Sequence, residues 1–199
     1  MVENGKAHGL QLFLTYRPQP CRMLDRDAEA PVVAPASTRF RHSISVAEIQ
    51  NPLLLKGLEL WRSHCAGRPF PTRAEMSPRL LAPLLRNTLL VKVLGSAEEF
   101  EFRIVGDAIV SAQGASFQGM TTAQIDGKLP GYGRMLKQVY QGICESGEPG
   151  AHRGWFERRA DGRAFFHESL CLPLGEQGGA VDHLLILGVY AYNDDLALR

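Results

Sequence analysis

The sequence has little net charge, and this shortage already excludes a class of partners. Its 22 lysines and arginines almost balance its 21 aspartates and glutamates, which leaves a net charge of +1. Such a balance supplies no global field that would draw the protein to nucleic acid or to an anionic membrane. We therefore expect no nucleic-acid partner.

Long apolar runs and paired cysteine motifs are also missing. The run LQLFL (Leu10–Leu14) is shorter than the ~7–15 residues of a signal-peptide core, and no run approaches the ~20 apolar residues of a membrane span. The four cysteines form no C-x-x-C pair and have no histidine at a zinc-finger spacing. These features predict a cytoplasmic protein with reduced thiols, no metal and no membrane span.

The first part of the chain divides into two segments. Residues 1–45 contain scattered prolines and keep no helical or strand period, which predicts a poorly ordered N-terminal arm. Residues 46–86 predict a helical extension, whose main helix begins at Asn51-Pro52 because Asn is a good N-cap and Pro suits the first turn. One helical face carries Leu54, Leu58 and Trp61. We expect this apolar stripe to form a homodimer interface, with a face of the domain as the alternative cover.

Residues 87–193 carry the clearest secondary-structure pattern. Two runs, from Thr88 to Leu94 and from Glu99 to Ile104, alternate with a period of two, as strands do. A short helix then ends at Gly114, and a longer one is predicted over 132–146. Three further strands are predicted, at about 151–159, 163–172 and 181–192, with Asp161-Gly162 as a hairpin signal. Residues 194–199 form a C-terminal tail.

Four separated motifs occur in order along this part of the chain. They are LxLWRS with GRPFPTRAEMSP (Leu58–Pro78), FRIVG (Phe102–Gly106), GxxxxG (Gly114–Gly119) and ESLCLPL (Glu168–Leu174). With them, residues 55–192 resemble a bacterial, mainly alphaproteobacterial, family of PAS-like proteins, many of them stand-alone chains. The chain differs from the family in the loop of residues 114–119, where family members carry a charged residue.

The resemblance implies an α+β fold and a regulatory role. The expected fold is a PAS-like five-stranded antiparallel sheet with helices on one face and an N-terminal helical extension. The implied function is a sensory or protein-interaction module, with no ligand named. The helix 132–146 contains no histidine that could be a haem ligand, and the same region lacks a flavin-binding cysteine motif. No cofactor is therefore expected.

In a PAS-like domain the short helices cover a concave sheet, so their apolar side chains either fill the core or enclose a small cavity. If a cavity forms, polar groups near it would orient an apolar or amphipathic ligand. The candidate ligand-binding residues are Gln113, Phe117, Met120, Tyr132, Met135 and His167. Plain core packing remains the alternative for the apolar members of this set.

Two further groups of residues could form an anion contact or a metal site, but their patterns are less specific. Arg103 interrupts an apolar strand, so it is either a contact for an anion or one half of a structural ion pair with Glu99 or another acid. His167 and His183 lie on adjacent predicted strands, but no carboxylate accompanies them at a ligand spacing. Arg103 is therefore a candidate anion contact, and we predict no metal site.

The prediction for function is a non-catalytic sensory or regulatory module. It would bind a small molecule, a protein partner in a signalling pathway, or both, and would signal by association, as a homodimer. One alternative is a small-molecule enzyme on a cone-shaped α+β scaffold, which needs an imidazole or carboxylate inside its cavity to act as a general base. The other is a pure protein-interaction adaptor with a filled core.

Overall fold

The computed structural model describes residues 35–158, 164–176 and 179–192. Within these residues the chain forms one six-stranded antiparallel sheet with helices on both faces. The strands are β1 (Pro35–Ile44), β2 (Thr88–Leu94), β3 (Glu99–Val105), β4 (Gly150–Arg158), β5 (Ala164–Leu174) and β6 (His183–Tyr192). The helices are α1 (Pro52–Cys65), α2 (Asp107–Gln113), α3 (Thr122–Lys128) and α4 (Tyr132–Ser146), with short 3-10 helices at Val46–Glu48 and Ala82–Asn87.

The strand order across the sheet is β1-β4-β5-β6-β2-β3. The strands β2 and β3 precede the helices α2 to α4, and β4 to β6 follow them. This split of two strands, a helical insert and three strands is the PAS-like order that the sequence resemblance implies. The predicted α+β PAS-like fold is confirmed, with six strands within the described residues instead of five.

The additional strand differs from the prediction of a poorly ordered arm only at residues 35–44, because residues 1–34 lie outside the described residues. Strand β1 pairs antiparallel with β4, with Ile44 opposite Ala151 and His42 opposite Arg153. Its sequence carries no clear strand period, so its place in the sheet comes from pairing with β4 and not from a local pattern. The run Leu10–Leu14, the hairpin dipeptide Asp161-Gly162 and the tail 194–199 lie outside the described residues.

One face of the sheet, called the inner face, is covered by α2, α3 and α4. These helices bury Ile109, Ile125 and Tyr140 against Phe100 and other side chains of the sheet. The helix α4 buries Leu136, Tyr140 and Ile143, and it packs Met135 and Val139, both half-buried, against the same core. None of the described helices has the length and apolar character needed to cross a lipid bilayer.

The opposite, outer face is covered by α1. Leu54, Leu58 and Trp61 are 0%, 4% and 5% exposed, and they pack in one cluster with sheet residues such as Leu170 and Leu187. The indole N–H of Trp61 also donates a buried hydrogen bond of 2.8 Å to the carbonyl of Pro173. The structure thus corrects the assignment of these three residues to a homodimer interface, because the sheet of the same chain already covers them.

The loop after α1 is held by an ion pair between two residues of the GRPFPTRAEMSP motif. Arg68 donates to the Glu75 carboxylate at 2.7 and 2.8 Å and also to the carbonyls of His64 and Cys65 at the end of α1. Glu75 accepts a further bond of 2.8 Å from the Thr72 amide. The motif therefore ends α1 and turns the chain around the sheet, which is a structural role.

This ion pair predicts a defined acid sensitivity. The hydrogen bonds from Arg68 and Thr72 lower the pKa of Glu75 from 4.5 to about 2. Because the folded-state pKa lies below the ordinary one, the stabilisation is complete above pH 4.5 and is lost as the pH falls towards 2. Glu75→Gln should therefore lower the urea midpoint at neutral pH, and its difference from wild type should shrink on acidification. Glu59→Gln, at an exposed position of α1, is the matched control; a difference for Glu75→Gln that stays constant with pH would contradict this assignment.

Candidate functional site

A cavity of about 60 Å³ lies between the inner face of the sheet and the helices α2 and α4. A single water needs about 10–15 Å³ of such space, so the cavity has room for a few water-sized groups. Its floor comes from β2 to β6 and its roof from α2 and α4. The lining residues are Leu89, Phe102, Ile109, Ala112, Gln113, Tyr132, Leu136, Val139, Tyr140, His152, Phe165, His167, Ser169, Cys171, Ile186, Gly188 and Tyr190.

The polar end of the cavity is built by two neighbouring rows across the sheet. In one row His152 lies opposite Ser169, which in turn lies opposite Gly188. In the next row His167 lies opposite Tyr190, and the two rings are 5.1 Å apart at an angle of 36°. Because side chains alternate along a strand, His167 and Ser169 of β5 point to the same face. The register therefore brings two imidazoles and a hydroxyl group together.

The other end of the cavity is apolar. Leu89 of β2 lies opposite Ile186 of β6 in the register, and Phe102 of β3 belongs to the same buried cluster. From above, Ile109 of α2 and Leu136 of α4 close this end. The cavity thus has an amphipathic lining, with hydrogen-bonding groups towards β4 and β5 and aliphatic or aromatic groups towards β2 and β3.

A hydrogen bond joins the two roof helices beside the cavity. Gln113 is the last residue of α2 and Tyr132 the first residue of α4. The Gln113 side-chain amide donates to the Tyr132 hydroxyl at 3.2 Å. The helix α2 stops here because Gly114 adopts a left-handed conformation, with φ of 76°, that glycine tolerates best. These two side chains of the roof therefore contact each other and also line the cavity.

Three of the six predicted ligand-binding residues line this cavity: Gln113, Tyr132 and His167. The other three are not among the residues that line it. Phe117 is buried with its ring 6.3 Å from that of Tyr132, whereas Met120 and Met135 are half-buried against the inner core. Their apolar character and spacing predicted that these residues would be buried near the cavity. The spacing could not show whether a side chain lines the cavity or packs behind the residues that do.

The sequence did not single out His152, Ser169 or Tyr190. Period-two alternation places His152 on the same face as Gly154, but it does not say whether that face is the inner one. The pairing of β4 with β5 decides this, because Gly154 lies opposite the cavity residue His167. His152 could have been found from the sequence only if the register between β4 and β5 had been known.

Arg103 lies outside the cavity and forms an ion pair. Its guanidinium donates to Glu101 at 2.8 Å on the same strand, and half of its side chain is exposed. The pairing partners of β3 jump from Ile104 to Phe102, so Arg103 is the extra residue of a β-bulge. As a result Phe102 packs in the inner core and Ile104 in the outer one, which corrects the uniform alternation that the sequence predicted for this strand.

The acid expected as a partner of Arg103, Glu99, has another role. Its carboxylate accepts from the Thr122 hydroxyl and from the amides of Phe100 and Ala123. Partial burial raises the pKa of Glu99, but these hydrogen bonds, together with Lys137, outweigh burial and lower it. Glu99 therefore fastens the start of α3 to β3, at the side of the roof.

The two histidines discussed from the sequence are far apart. His167 lies opposite Tyr190 on β6, and His183 lies seven positions before Tyr190 on that strand, which corresponds to roughly 23 Å at about 3.3 Å per residue. His183 instead contacts Asp182, with 2.8 Å between Nδ1 and the carboxylate. Among the residues that the structure describes, no group of three or more His, Cys, Asp and Glu side chains could hold a metal ion.

Formal charge is missing from the described wall of the cavity. No Asp, Glu, Lys or Arg belongs to the lining given above. Arg153 and Glu168 are chain neighbours of the two cavity histidines, and alternation points them to the outer face, where they form an ion pair of 3.2 Å. Any charge on a group inside the cavity would thus have to be balanced by an imidazole or by the group that enters.

Comparisons with known proteins find structural likenesses but no family. No sequence model of a protein family matches the chain, and no curated protein matches it. A light-oxygen-voltage domain described in connection with a flavin analogue is similar in structure, with 16% identity and a TM-score of 0.40, over 60% of this chain and 88% of that domain. An RNA-binding light-oxygen-voltage receptor has 14% identity and a TM-score of 0.44 over 78% of this chain, which spans 39% of the receptor. These likenesses concern the fold alone, and the PAS-like assignment rests on the order of the strands.

Proposed function

We propose that the protein is a non-catalytic PAS-like sensory module that binds a small molecule in the cavity between its sheet and α2 and α4. The observation that carries this proposal is the amphipathic lining of that cavity, with His152, His167 and Ser169 at one end and aliphatic side chains at the other. Ligand sites in proteins are concave and mostly apolar, with a few polar groups that orient the ligand. The role agrees with the sensory function implied by the resemblance to stand-alone bacterial PAS-like proteins.

The signal would pass by a shift between packing states of the roof. A ligand in the cavity contacts the sheet and both roof helices at once, so it has a different affinity for each arrangement of α2 and α4. Such differential affinity is what allows a ligand to change a conformational equilibrium. The bond between Gln113 and Tyr132 joins the two helices at the wall of the cavity, and a protein partner would bind the changed outer surface of α2 and α4.

Filling the cavity should abolish ligand binding without unfolding the protein. Ala112 of α2 lines the cavity and is buried, so Ala112→Leu places three additional carbon atoms in space that is open. Native mass spectrometry of freshly purified wild type should show a bound small molecule, and Ala112→Leu should lose it while keeping its unfolding temperature within a few degrees. The matched control is Leu55→Ala, at an exposed position of α1 on the other side of the sheet, which should retain the ligand.

Two results would count against this function. A small molecule that remains bound to Ala112→Leu would lie elsewhere in the protein. Wild type that carries no small molecule and binds none from a metabolite library, but retains a protein partner through purification, would instead act as a protein-interaction adaptor.

The enzyme alternative is a second candidate, because the structure meets its requirement for an imidazole inside the cavity. His152 lies directly opposite Ser169 in the register, so a general base and a hydroxyl group are neighbours. NMR spectra of the ligand, recorded over hours with wild type and with Ser169→Ala, separate the two functions. An unchanged ligand spectrum supports the sensor, whereas conversion by wild type alone supports the enzyme.

A further inference from the structure

The size of the cavity limits its ligand to a few non-hydrogen atoms. The available space of about 60 Å³ corresponds to about four to six waters at about 10–15 Å³ each. Planar cofactors with fused rings are much larger than this. The ligand that fits the described arrangement is therefore a short chain or a similarly compact molecule.

The two ends of the cavity fix the polarity of such a ligand. His152, His167 and Ser169 offer hydrogen bonds at the end formed by β4 and β5, while Leu89 and Leu136 offer only apolar contact at the other. A fully polar ligand would face the aliphatic end, which is costly, whereas a molecule with a polar head and an apolar tail meets groups of its own kind at both ends. The lining selects a molecule with one polar head and one hydrocarbon tail.

Charge then decides between possible heads. A cationic head would have no acid to pair with, because the described lining contains no Asp or Glu, and an unpaired buried charge is strongly unfavourable. An anionic head has a partner, because an imidazole that takes up a proton gains a charge and donates from both nitrogens. The other titratable groups that line the cavity are Cys171 of β5, Tyr190 of β6, and Tyr132 and Tyr140 of α4. None of these can supply a positive charge.

We propose that the cavity binds a short-chain monocarboxylate, with its carboxylate at His152, His167 and Ser169 and its hydrocarbon tail at the apolar end. This inference rests on the small-molecule function proposed above and adds the chemical class of the ligand. Binding is accompanied by the uptake of a proton by the imidazole pair. The site is therefore selective for an acid over its neutral isostere.

The test compares butyrate with butyramide, which has nearly the same shape but no charge. Calorimetric titration of the full chain should show butyrate binding at least about tenfold tighter at pH near 6, in the range where imidazoles titrate. Its affinity should fall by up to about tenfold per pH unit as the pH rises, because each complex takes up a proton. Titrations in two buffers with different ionisation enthalpies measure that uptake directly, and butyramide should show none.

Variants locate the carboxylate. His167→Gln and His152→Gln retain a hydrogen-bonding side chain but cannot take up a proton, so each should weaken butyrate about tenfold or more and flatten its pH dependence. His183→Gln is the matched control, since His183 lies on β6 outside the cavity and contacts Asp182; its affinity and pH profile should equal those of wild type. The comparison of acid with amide on wild type needs no variant, so the inference stays testable even if a variant fails to fold.

The outcomes separate this inference from the function on which it rests. Butyramide that binds as tightly as butyrate, or butyrate affinity that is independent of pH, overturns the carboxylate class. If neither compound binds but native mass spectrometry finds another small molecule that Ala112→Leu removes, the ligand class is wrong and the sensor function stands. If no small molecule binds at all, both proposals fail.

Discussion

Gly133→Ala should destabilise the protein by about 3 kcal/mol, because there is no room for a methyl group at this position. A Cβ atom built on Gly133 of α4 would lie 2.0 Å from the Thr122 carbonyl oxygen and 2.5 Å from the Asp126 amide nitrogen. Both atoms belong to the backbone of α3, so a side-chain rotation cannot relieve the overlap and the two helices must separate. Thermal unfolding should show a midpoint lower by roughly 6–12 °C for a chain of this size.

Separation of α3 from α4 would also break the bonds at their junction. The carboxylate of Asp126 accepts from the amides of Gly131 and Arg134 at 2.9 and 3.0 Å, and these bonds, the one from Arg134 first, lower the pKa of Asp126. They join the end of α3 to the first turn of α4, which carries Tyr132 of the cavity roof. Gly133→Ala should therefore weaken ligand binding as well as stability.

The matched control lies on the same helix. Gly142 is exposed, and a Cβ atom there would meet nothing within 4 Å. Alanine is the better helix former by about 0.5–1 kcal/mol, so Gly142→Ala should raise the midpoint slightly. If both alanine variants changed stability by the same amount, the close approach of α3 to α4 at Gly133 would be wrong.

Trp61→Ala should cost about 3–5 kcal/mol, as is typical for the removal of a large buried aromatic side chain. The variant leaves a cavity between α1 and the outer face of the sheet, and it removes the donor that satisfies the Pro173 carbonyl at 2.8 Å. Chemical denaturation monitored by circular dichroism measures the loss. Trp61→Phe loses the donor and part of the ring but keeps much of the packing, so its cost should be smaller, about 1–3 kcal/mol.

Trp61→Ala, compared with Leu55→Ala, also tests where the α1 stripe is buried. Leu55 is the exposed neighbour on α1, at 42% exposure, and Leu55→Ala should change stability by less than about 0.5 kcal/mol. Light scattering should give one molecular mass for wild type and for the folded fraction of Trp61→Ala. A stable Trp61→Ala variant with half the mass of wild type would instead restore the homodimer interface expected from the sequence.

Local patterns were sufficient for most of the elements. The helix at 52–65 begins at the predicted Asn51-Pro52 cap and the helix at 132–146 spans the predicted range, while the strands at 88–94 and 99–105 occupy the two runs predicted as strands. These segments could be predicted because the signals that start, continue and end them lie within a few residues of one another. Strand β1 could not, because its order comes from pairing with β4, more than a hundred residues further along the chain.

The candidate site was predictable only in part, for a related reason. Gln113 and Tyr132 stand at helix ends, where glycine signals in the sequence mark the roof of the cavity. His152 and Ser169 join them only through the register of β4 with β5. Phe117 and Met135 were assigned to the cavity wall from their spacing. Whether a side chain reaches the wall depends on how the helices pack on the sheet, and sequence periodicity does not show this.

Local signals were enough for most elements from α1 to β6 and for the need to cover the stripe of α1, since periodicity, capping and turn residues act within a few positions of one another. The PAS-like class followed from the resemblance that the four separated motifs carry. The tertiary structure alone decided that the outer face of the sheet supplies this cover, that a bulge at Arg103 divides Phe102 from Ile104, and that two histidines meet in one cavity. Each of these depends on which strands pair and in which register. Such pairing is set by the free energy of the whole packed core, and no short segment of the chain contains it.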